Sequence, residues 1–147
     1  RSDSDIRTLQ DLAGKVVAVQ STTKPEELFL NAEQNGLPRL RRLYSLQNRD
    51  LLYTTLLKGY ADALAAHESA IRQFMKDYSV EYRILDEPLM TARLGVAFAK
   101  NRSDDLPQQL TEVFQEMLAD GTVRQIVSRY LDDPGHYLDG LEDRTHA

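Results

Sequence analysis

The chain has 147 residues, 41% of them apolar, with a formal net charge of −5 and no cysteine. This length supports one domain with a substantial core, and the lack of cysteine excludes disulfides and thiolate metal sites. The acidic balance, without a basic stripe, argues against nucleic acid as a partner. No apolar run reaches the roughly 18 residues of a membrane span. We expect a membrane to be involved only through flanking segments, since the opening RSDSD resembles an internal start rather than a signal peptide.

Short apolar runs alternate with helical patterns from residue 16 to residue 85. The first run, 16–20, is rich in β-branched residues and predicts a buried parallel strand. Helices are predicted over 24–34, 48–58 and 70–77, and further strands over 40–44, 62–66 and 80–85. Strands that alternate with helices in this way form a parallel sheet with right-handed crossovers.

The pattern changes beyond residue 85. A fifth strand is predicted at 94–100, and Asp105 then begins a helix with an apolar stripe that includes Leu110, Val113 and Phe114. A shorter amphipathic helix follows it. The predicted fold class is therefore α/β, a three-layer sandwich with a mostly parallel five-stranded sheet.

Two regions are expected along the chain. Residues 1–131 are predicted to form the α/β lobe together with its C-terminal helices. Residues 132–147 are acidic and rich in turn formers, so they are predicted to be a loosely ordered polar tail or linker.

A hydroxyl-rich turn, Ser21-Thr22-Thr23, follows the first strand. Thr23 and Glu26 have the spacing of a capping box at the start of the first helix. Such a helix start has free N–H donors and a partial positive charge, so the turn is a candidate carboxylate or phosphate site. The alternative is that the hydroxyls only cap the helix.

Four segments in order and spacing resemble the bacterial extracellular solute-binding proteins of the polar amino-acid type: DLAGKVVAVQSTT, LLKGYADALAAHES, LGVAFAKN and LPQQLTEVFQEMLADGTVRQIVSRYL. The resemblance covers roughly residues 6–131. It implies one lobe of a periplasmic two-lobed clamshell, the second lobe plus its C-terminal helices, with the family's first lobe having no counterpart here. It also implies a non-catalytic protein that binds a small solute and needs no cofactor.

The resemblance places His67 where amino-acid binders of this family carry an aspartate that contacts the ligand ammonium, with Glu68 beside it. A neutral histidine cannot replace that negative charge. The ligand-binding residues implied are therefore Ser21, Thr22, Thr23, His67 and Glu68, and we expect a carboxylate-bearing ligand that lacks a free amine. The alternatives are an exposed histidine at a helix start and a glutamate that complements the helix dipole.

No histidine and carboxylate pair has metal-ligand spacing, and no serine has a nucleophile-elbow context, so neither a metal nor a catalytic residue is predicted. Three functions remain open: a ligand-binding lobe of a sensor or of a transporter receptor, a degenerate lobe that binds proteins, and a relative of the family's small-acid dehydratases. The apolar stripe on the helix that begins at Asp105 further predicts self-association through the C-terminal helices, or packing of these helices on the lobe's own sheet.

Overall fold

The computed structural model describes residues 1–92, 95–101 and 104–142. They divide into two compact units, Arg1–Ala92 and Arg93–Ala147. The first unit is α/β, and its elements in chain order are a short 3-10 helix (Gln10–Leu12), β1 (Val16–Gln20), α1 (Lys24–Leu30), β2 (Arg42–Leu46), α2 (Arg49–Leu57), β3 (Ala63–Ala65) and α3 (Glu68–Tyr78). The second unit contains α4 (Leu106–Ala119), α5 (Thr122–Val127) and α6 (Pro134–Glu142).

The three strands form one parallel sheet in the order β2-β1-β3. The central strand β1 is buried on both faces, as its continuous apolar run requires. Because side chains alternate along a strand, Val17 and Val19 face one side of the sheet and Val16 and Ala18 the other. Phe29 of α1 packs on the first side and Leu52 of α2 on the second. The sheet is therefore covered on both faces by helices that follow its strands.

The expected five-stranded sheet is wrong, because the described residues form a sheet of three strands. Residues 80–85 are not a strand, and the described part of the predicted fifth strand, 95–100, is not one either; Leu94 lies outside the described residues. The 80–85 segment is fixed by side-chain bonds to the N-terminal segment, since Arg83 Nη2 donates to the carbonyls of Ser4 at 3.0 Å and Ile6 at 2.6 Å. In the second of these segments Val96 is 69% exposed.

Glu87 completes this attachment of the N-terminal segment. Its carboxylate accepts the backbone N–H of Leu9 at 2.9 Å. Leu85 and Leu89 pack on the same core cluster as the buried Ile6. These three hydrogen bonds join residues that are 77 to 79 positions apart in the sequence. They come from side chains and not from a strand ladder.

Asp62 has a structural role at the start of β3. Its carboxylate accepts the Val16 N–H at 2.7 Å, and its own N–H donates to the Val16 carbonyl at 2.8 Å. The two bonds extend the pairing of β1 and β3 by one residue at their N-terminal ends. Asp62 is therefore committed to the sheet, at the edge opposite the carboxyl ends of the strands.

The second unit has its own small core, formed by the buried Leu118, Val123 and Leu138. Gly121, at φ +81°, makes the turn between α4 and α5. Leu138 lies on α6, so residues Pro134–Glu142 form a packed helix instead of the loosely ordered tail expected there. Within the described residues, no helix is both long and apolar enough to cross a membrane.

Candidate functional site

The carboxyl ends of β1 and β3 lie side by side at one edge of the sheet. In the parallel register Val19 pairs with Ala65. Ser21 and His67 each follow two residues after that pair, so the chain continues from both strands at the same level. The two predicted site segments, 21–23 and 67–68, are therefore brought together by the sheet.

This edge is also the point where the chain changes direction across the sheet. From β1 the chain passes through α1 to β2 on one side, and from β2 it crosses through α2 to β3 on the other side of β1. The helices α1 and α2 cover opposite faces. In open α/β sheets, ligands bind in the crevice outside the carboxyl ends of the strands at such a switch point.

The turn after β1 has an unusual backbone. Thr22 has φ +61°, in the left-handed region that a β-branched residue rarely occupies. Its N–H donates to Glu26 Oε2 at 2.7 Å, and its hydroxyl donates to the Ser21 carbonyl at 2.6 Å. These local bonds hold the strained conformation in place, and strain of this kind is concentrated at functional sites.

The predicted capping box is wrong in detail. The Thr23 side chain does not cap α1; its hydroxyl donates backwards to the Gln20 carbonyl at 2.5 Å. Glu26 reaches Thr22, one residue before the N-cap, instead of the N–H of Thr23. The turn is therefore closed by its own side chains, and an external anion would meet a carboxylate already in place.

Glu26 is held in its ionised form. The Ser45 hydroxyl, on the neighbouring strand β2, and the Thr22 N–H both donate to its carboxylate and lower the pKa of Glu26 from its ordinary value. A ligand carboxylate that used the Thr22 N–H would have to displace this carboxylate. Nothing in the sequence indicates this contact, because a threonine carries no signal for a positive φ.

His67 and Glu68 begin α3. His67 is the N-cap residue, and its side chain is exposed and makes no capping hydrogen bond. Glu68 is half-buried and forms an ion pair with Arg72 one turn later, with 2.7 Å between Glu68 Oε1 and both Nε and Nη2 of Arg72. The imidazole therefore faces solvent at the strand edge, whereas the neighbouring carboxylate is engaged by its own helix.

A shallow open depression of about 440 Å³ lies along α1. Its lining residues are Thr22, Thr23, Lys24, Glu26, Glu27, Leu30 and Asn31. It shares the threonine turn with the switch-point edge but includes nothing from β3 or α3, and Lys24 and Glu27 pair with each other within it. The switch-point edge, unlike this depression, is defined by the sheet topology and includes residues from two chain segments.

The described part of the chain contains no cluster of three or more histidine, aspartate or glutamate side chains arranged to hold a metal ion. What the switch-point edge offers is a strained turn with hydroxyls, one exposed imidazole and two carboxylates with partners of their own. This arrangement is suited to reversible contact with a small polar solute. The fold is of the α/β class with a parallel sheet, and this edge is the candidate site that its topology indicates.

Comparison with known proteins identifies the relatives. The histidine-binding periplasmic protein of Escherichia coli (strain K12) is 34% identical over 139 residues, which cover 88% of this chain and 52% of that protein. The L-cystine-binding protein TcyK of Bacillus subtilis (strain 168) is 29% identical over 138 residues, covering 90% of this chain and 49% of that protein. The chain matches no family model.

A solved structure agrees with these relatives. The substrate binding protein of an amino acid ABC transporter superposes with a TM-score of 0.66 at 25% identity, covering 89% of this chain and 56% of the other. The resemblance to bacterial extracellular solute-binding proteins of the polar amino-acid type is thereby confirmed. The chain spans about half the length of the curated relatives it matches, which fits one lobe of a two-lobed protein.

Proposed function

We propose that the chain is a non-catalytic ligand-binding lobe of an extracytoplasmic solute-binding protein, and that it binds a small carboxylate-bearing solute. The observation that carries this proposal is that the Ser21–Thr23 turn and His67 follow two adjacent strands at the same level, at the switch point of the sheet. The names of the relatives support the class, since they include histidine-binding and cystine-binding proteins and the receptor of an amino acid transporter.

The turn is the proposed contact for the ligand carboxylate. Its backbone N–H groups and the hydroxyls of Ser21, Thr22 and Thr23 are donors of the kind that carboxylates accept. The Thr22 and Thr23 hydroxyls donate to backbone carbonyls in the free protein, so they would have to turn toward the ligand. Glu26 holds the Thr22 N–H in the free protein. Ligand binding on this account exchanges one carboxylate for another, which limits affinity and makes it sensitive to any change at Glu26.

His67 is the proposed determinant of ligand choice. An ammonium group needs a negative partner, and Glu68 is engaged by Arg72. An imidazole is neutral or cationic, so a ligand without a free amine is favoured over an ordinary amino acid. Such a preference would separate this chain from the relatives named for amino acids. It favours a sensor of a simpler acid over a transport receptor.

Calorimetry tests the ligand class. The chain is titrated with histidine, with cystine and with amine-free carboxylates, in the parent and in His67→Ala. The matched control is His136→Ala, which removes an exposed histidine of the second unit. We expect binding of an amine-free acid that is weakened by His67→Ala and left unchanged by His136→Ala. Tight binding of a standard amino acid, unchanged in His67→Ala, would contradict the assignment.

A protein-binding role is the second candidate, and one observation favours it. The apolar stripe of α4 is only half-covered: Leu110 is 42% exposed, Val113 49% and Phe114 45%. Exposed apolar patches of this kind mark interaction surfaces in soluble proteins. We propose self-association through the C-terminal helices as the form this role takes.

A further inference from the structure

Asn35 is followed directly by Gly36 in an exposed turn between α1 and β2. Glycine has no Cβ, so its backbone nitrogen can approach the side-chain amide of the preceding asparagine closely. The residue after each of the other three asparagines carries a side chain: Ala32 after Asn31, Arg49 after Asn48, and Arg102 after Asn101. The sequence therefore contains one asparagine with an unhindered neighbour.

The structure shows what the amide of Asn35 does in the folded chain. Its Nδ2 donates to the carbonyls of Leu28 at 3.2 Å and Asn31 at 2.8 Å. These carbonyls lie at the C-terminal end of α1, and the Asn31 carbonyl also accepts the backbone N–H of Asn35 at 3.2 Å. The Gly36 N–H, in contrast, makes only a long bond of 3.4 Å to the Glu33 carbonyl. The side-chain amide of Asn35 is held by two hydrogen bonds, whereas the Gly36 nitrogen that could attack it is held by one long bond.

We propose that Asn35 is a site of spontaneous deamidation, with water as the only co-reactant. The Gly36 nitrogen forms a bond to Cγ of Asn35, and the bond from Cγ to Nδ2 breaks. Nδ2 leaves as ammonia and takes the proton that the Gly36 nitrogen gives up, and a five-membered succinimide remains. Water then breaks one of the two bonds that join the ring nitrogen to a carbonyl carbon. Breaking the bond to Cγ gives aspartate, and breaking the bond to the backbone carbonyl carbon gives isoaspartate. The sum is one water gained and one ammonia lost, without a change of oxidation state.

The reaction is coupled to the end of α1. The Asn35 side chain must leave both carbonyls before its Cγ can reach the Gly36 nitrogen, so the folded turn protects it. α1 is only seven residues long and is followed by exposed turns, so opening of this end costs less than global unfolding. Deamidation therefore follows local opening and is fastest in the unfolded chain.

The product cannot restore the turn. A carboxylate only accepts hydrogen bonds, so the Leu28 and Asn31 carbonyls both lose the side-chain donor, and the Asn31 carbonyl keeps the backbone N–H of residue 35. The new negative charge also lies at the helix end where the dipole is unfavourable to it. The next residues, Leu37 and Leu40, pack on the core beside Phe29. The modification thus loosens the connection that leads from α1 to β2.

Peptide mapping by mass spectrometry tests the proposal. The full chain is incubated at mildly alkaline pH, folded or in urea, and each asparagine is followed through the mass change that replacing NH₂ by OH produces. We expect Asn35 to convert ahead of Asn31 and Asn48 in the same digest, and faster in urea than in the folded chain. Conversion of Asn35 no faster than Asn48 in urea would overturn the site, and equal rates with and without urea would overturn the protection by the turn.

Two variants test the consequence separately. Asn35→Asp reproduces one product, and Gln34→Glu places the same charge on the exposed neighbouring residue. We expect the urea midpoint of unfolding to fall more in Asn35→Asp than in Gln34→Glu, since only the first loses the two amide bonds. Equal midpoints in the two variants would show that the Asn35 amide does not hold the end of α1.

Discussion

Thr22 offers a prediction that links stability to the candidate site. It has φ +61°, where a β-branched side chain crowds the backbone. Replacement by glycine removes that crowding and leaves the backbone N–H that donates to Glu26. It also removes the hydroxyl bond to the Ser21 carbonyl, which is exposed, so water can take the place of the hydroxyl there. We therefore expect Thr22→Gly to stabilise the fold and, because the turn is no longer fixed in one conformation, to weaken ligand binding.

The magnitude follows from two opposing terms. A left-handed conformation costs a residue with a Cβ about 1–2 kcal/mol. Glycine gives back roughly 0.5–1 kcal/mol through the greater freedom of the unfolded chain. The net stabilisation is about 0.5–1 kcal/mol, which for a chain of this length raises the melting temperature by about 2 °C.

Ser79 supplies the matched control. It is the other described non-glycine residue with positive φ, at +50°, and it ends α3 far along the chain from the turn. Ser79→Gly should also stabilise the fold, since glycine is preferred at such helix ends, but should leave ligand binding unchanged. Thermal unfolding and calorimetry of both variants provide the comparison. A Thr22→Gly variant that is destabilised by more than about 1 kcal/mol, or that binds ligand like the parent, would refute the reasoning.

Three further predictions concern the rest of the chain. Arg83→Met should destabilise the first unit in urea unfolding by about 1.5–3 kcal/mol for each of the two carbonyl bonds lost, since this is what a bond to a charged donor contributes. Arg83→Lys should lose less, and equal losses would contradict a role for both carbonyl bonds. The backbone N–H groups of Arg7 and Thr8 lower the pKa of Asp11. The carboxylate therefore stabilises the fold above about pH 4, and this stabilisation disappears as the pH falls through the lowered pKa. Asp11→Asn should lose less stability in acid than the parent, and parallel plots of unfolding free energy against pH would contradict this. Sedimentation should show self-association that Phe114→Asp abolishes, whereas a monomeric parent would remove that proposal.

The sequence predicted the centre of the fold well and its margins poorly. The apolar run at β1 can only be buried on both faces, so its place in a parallel sheet followed from composition alone. The segments 80–85 and 94–100 have the same local appearance. Whether such a segment pairs depends on a neighbouring strand that no local pattern contains, and here Arg83 and Glu87 fix the first of them by side-chain bonds.

The candidate site shows the same division. The alternation of strands and helices predicted a parallel sheet. The observed strand order and register then place Ser21 and His67 at the same level of one edge. The partners of the charged groups did not follow. Glu26 accepts a hydrogen bond from Thr22, and Glu68 pairs with Arg72. Both partners depend on backbone dihedrals and rotamers a few ångströms away. A spacing of three or four residues fixes which groups can meet, but not which of them do.

The most direct test of the account is an amide chemical-shift map of the chain during titration with an amine-free dicarboxylate such as succinate, and in parallel with histidine. Ligand binding at the switch point predicts saturable shifts in the Ser21–Thr23 turn and at His67 and Glu68. These shifts should be larger for succinate than for histidine, and α5 and α6 should be unaffected. Saturable binding with shifts confined to other segments, or no shift at these five residues with any carboxylate, would contradict the assignment of the site to the switch point.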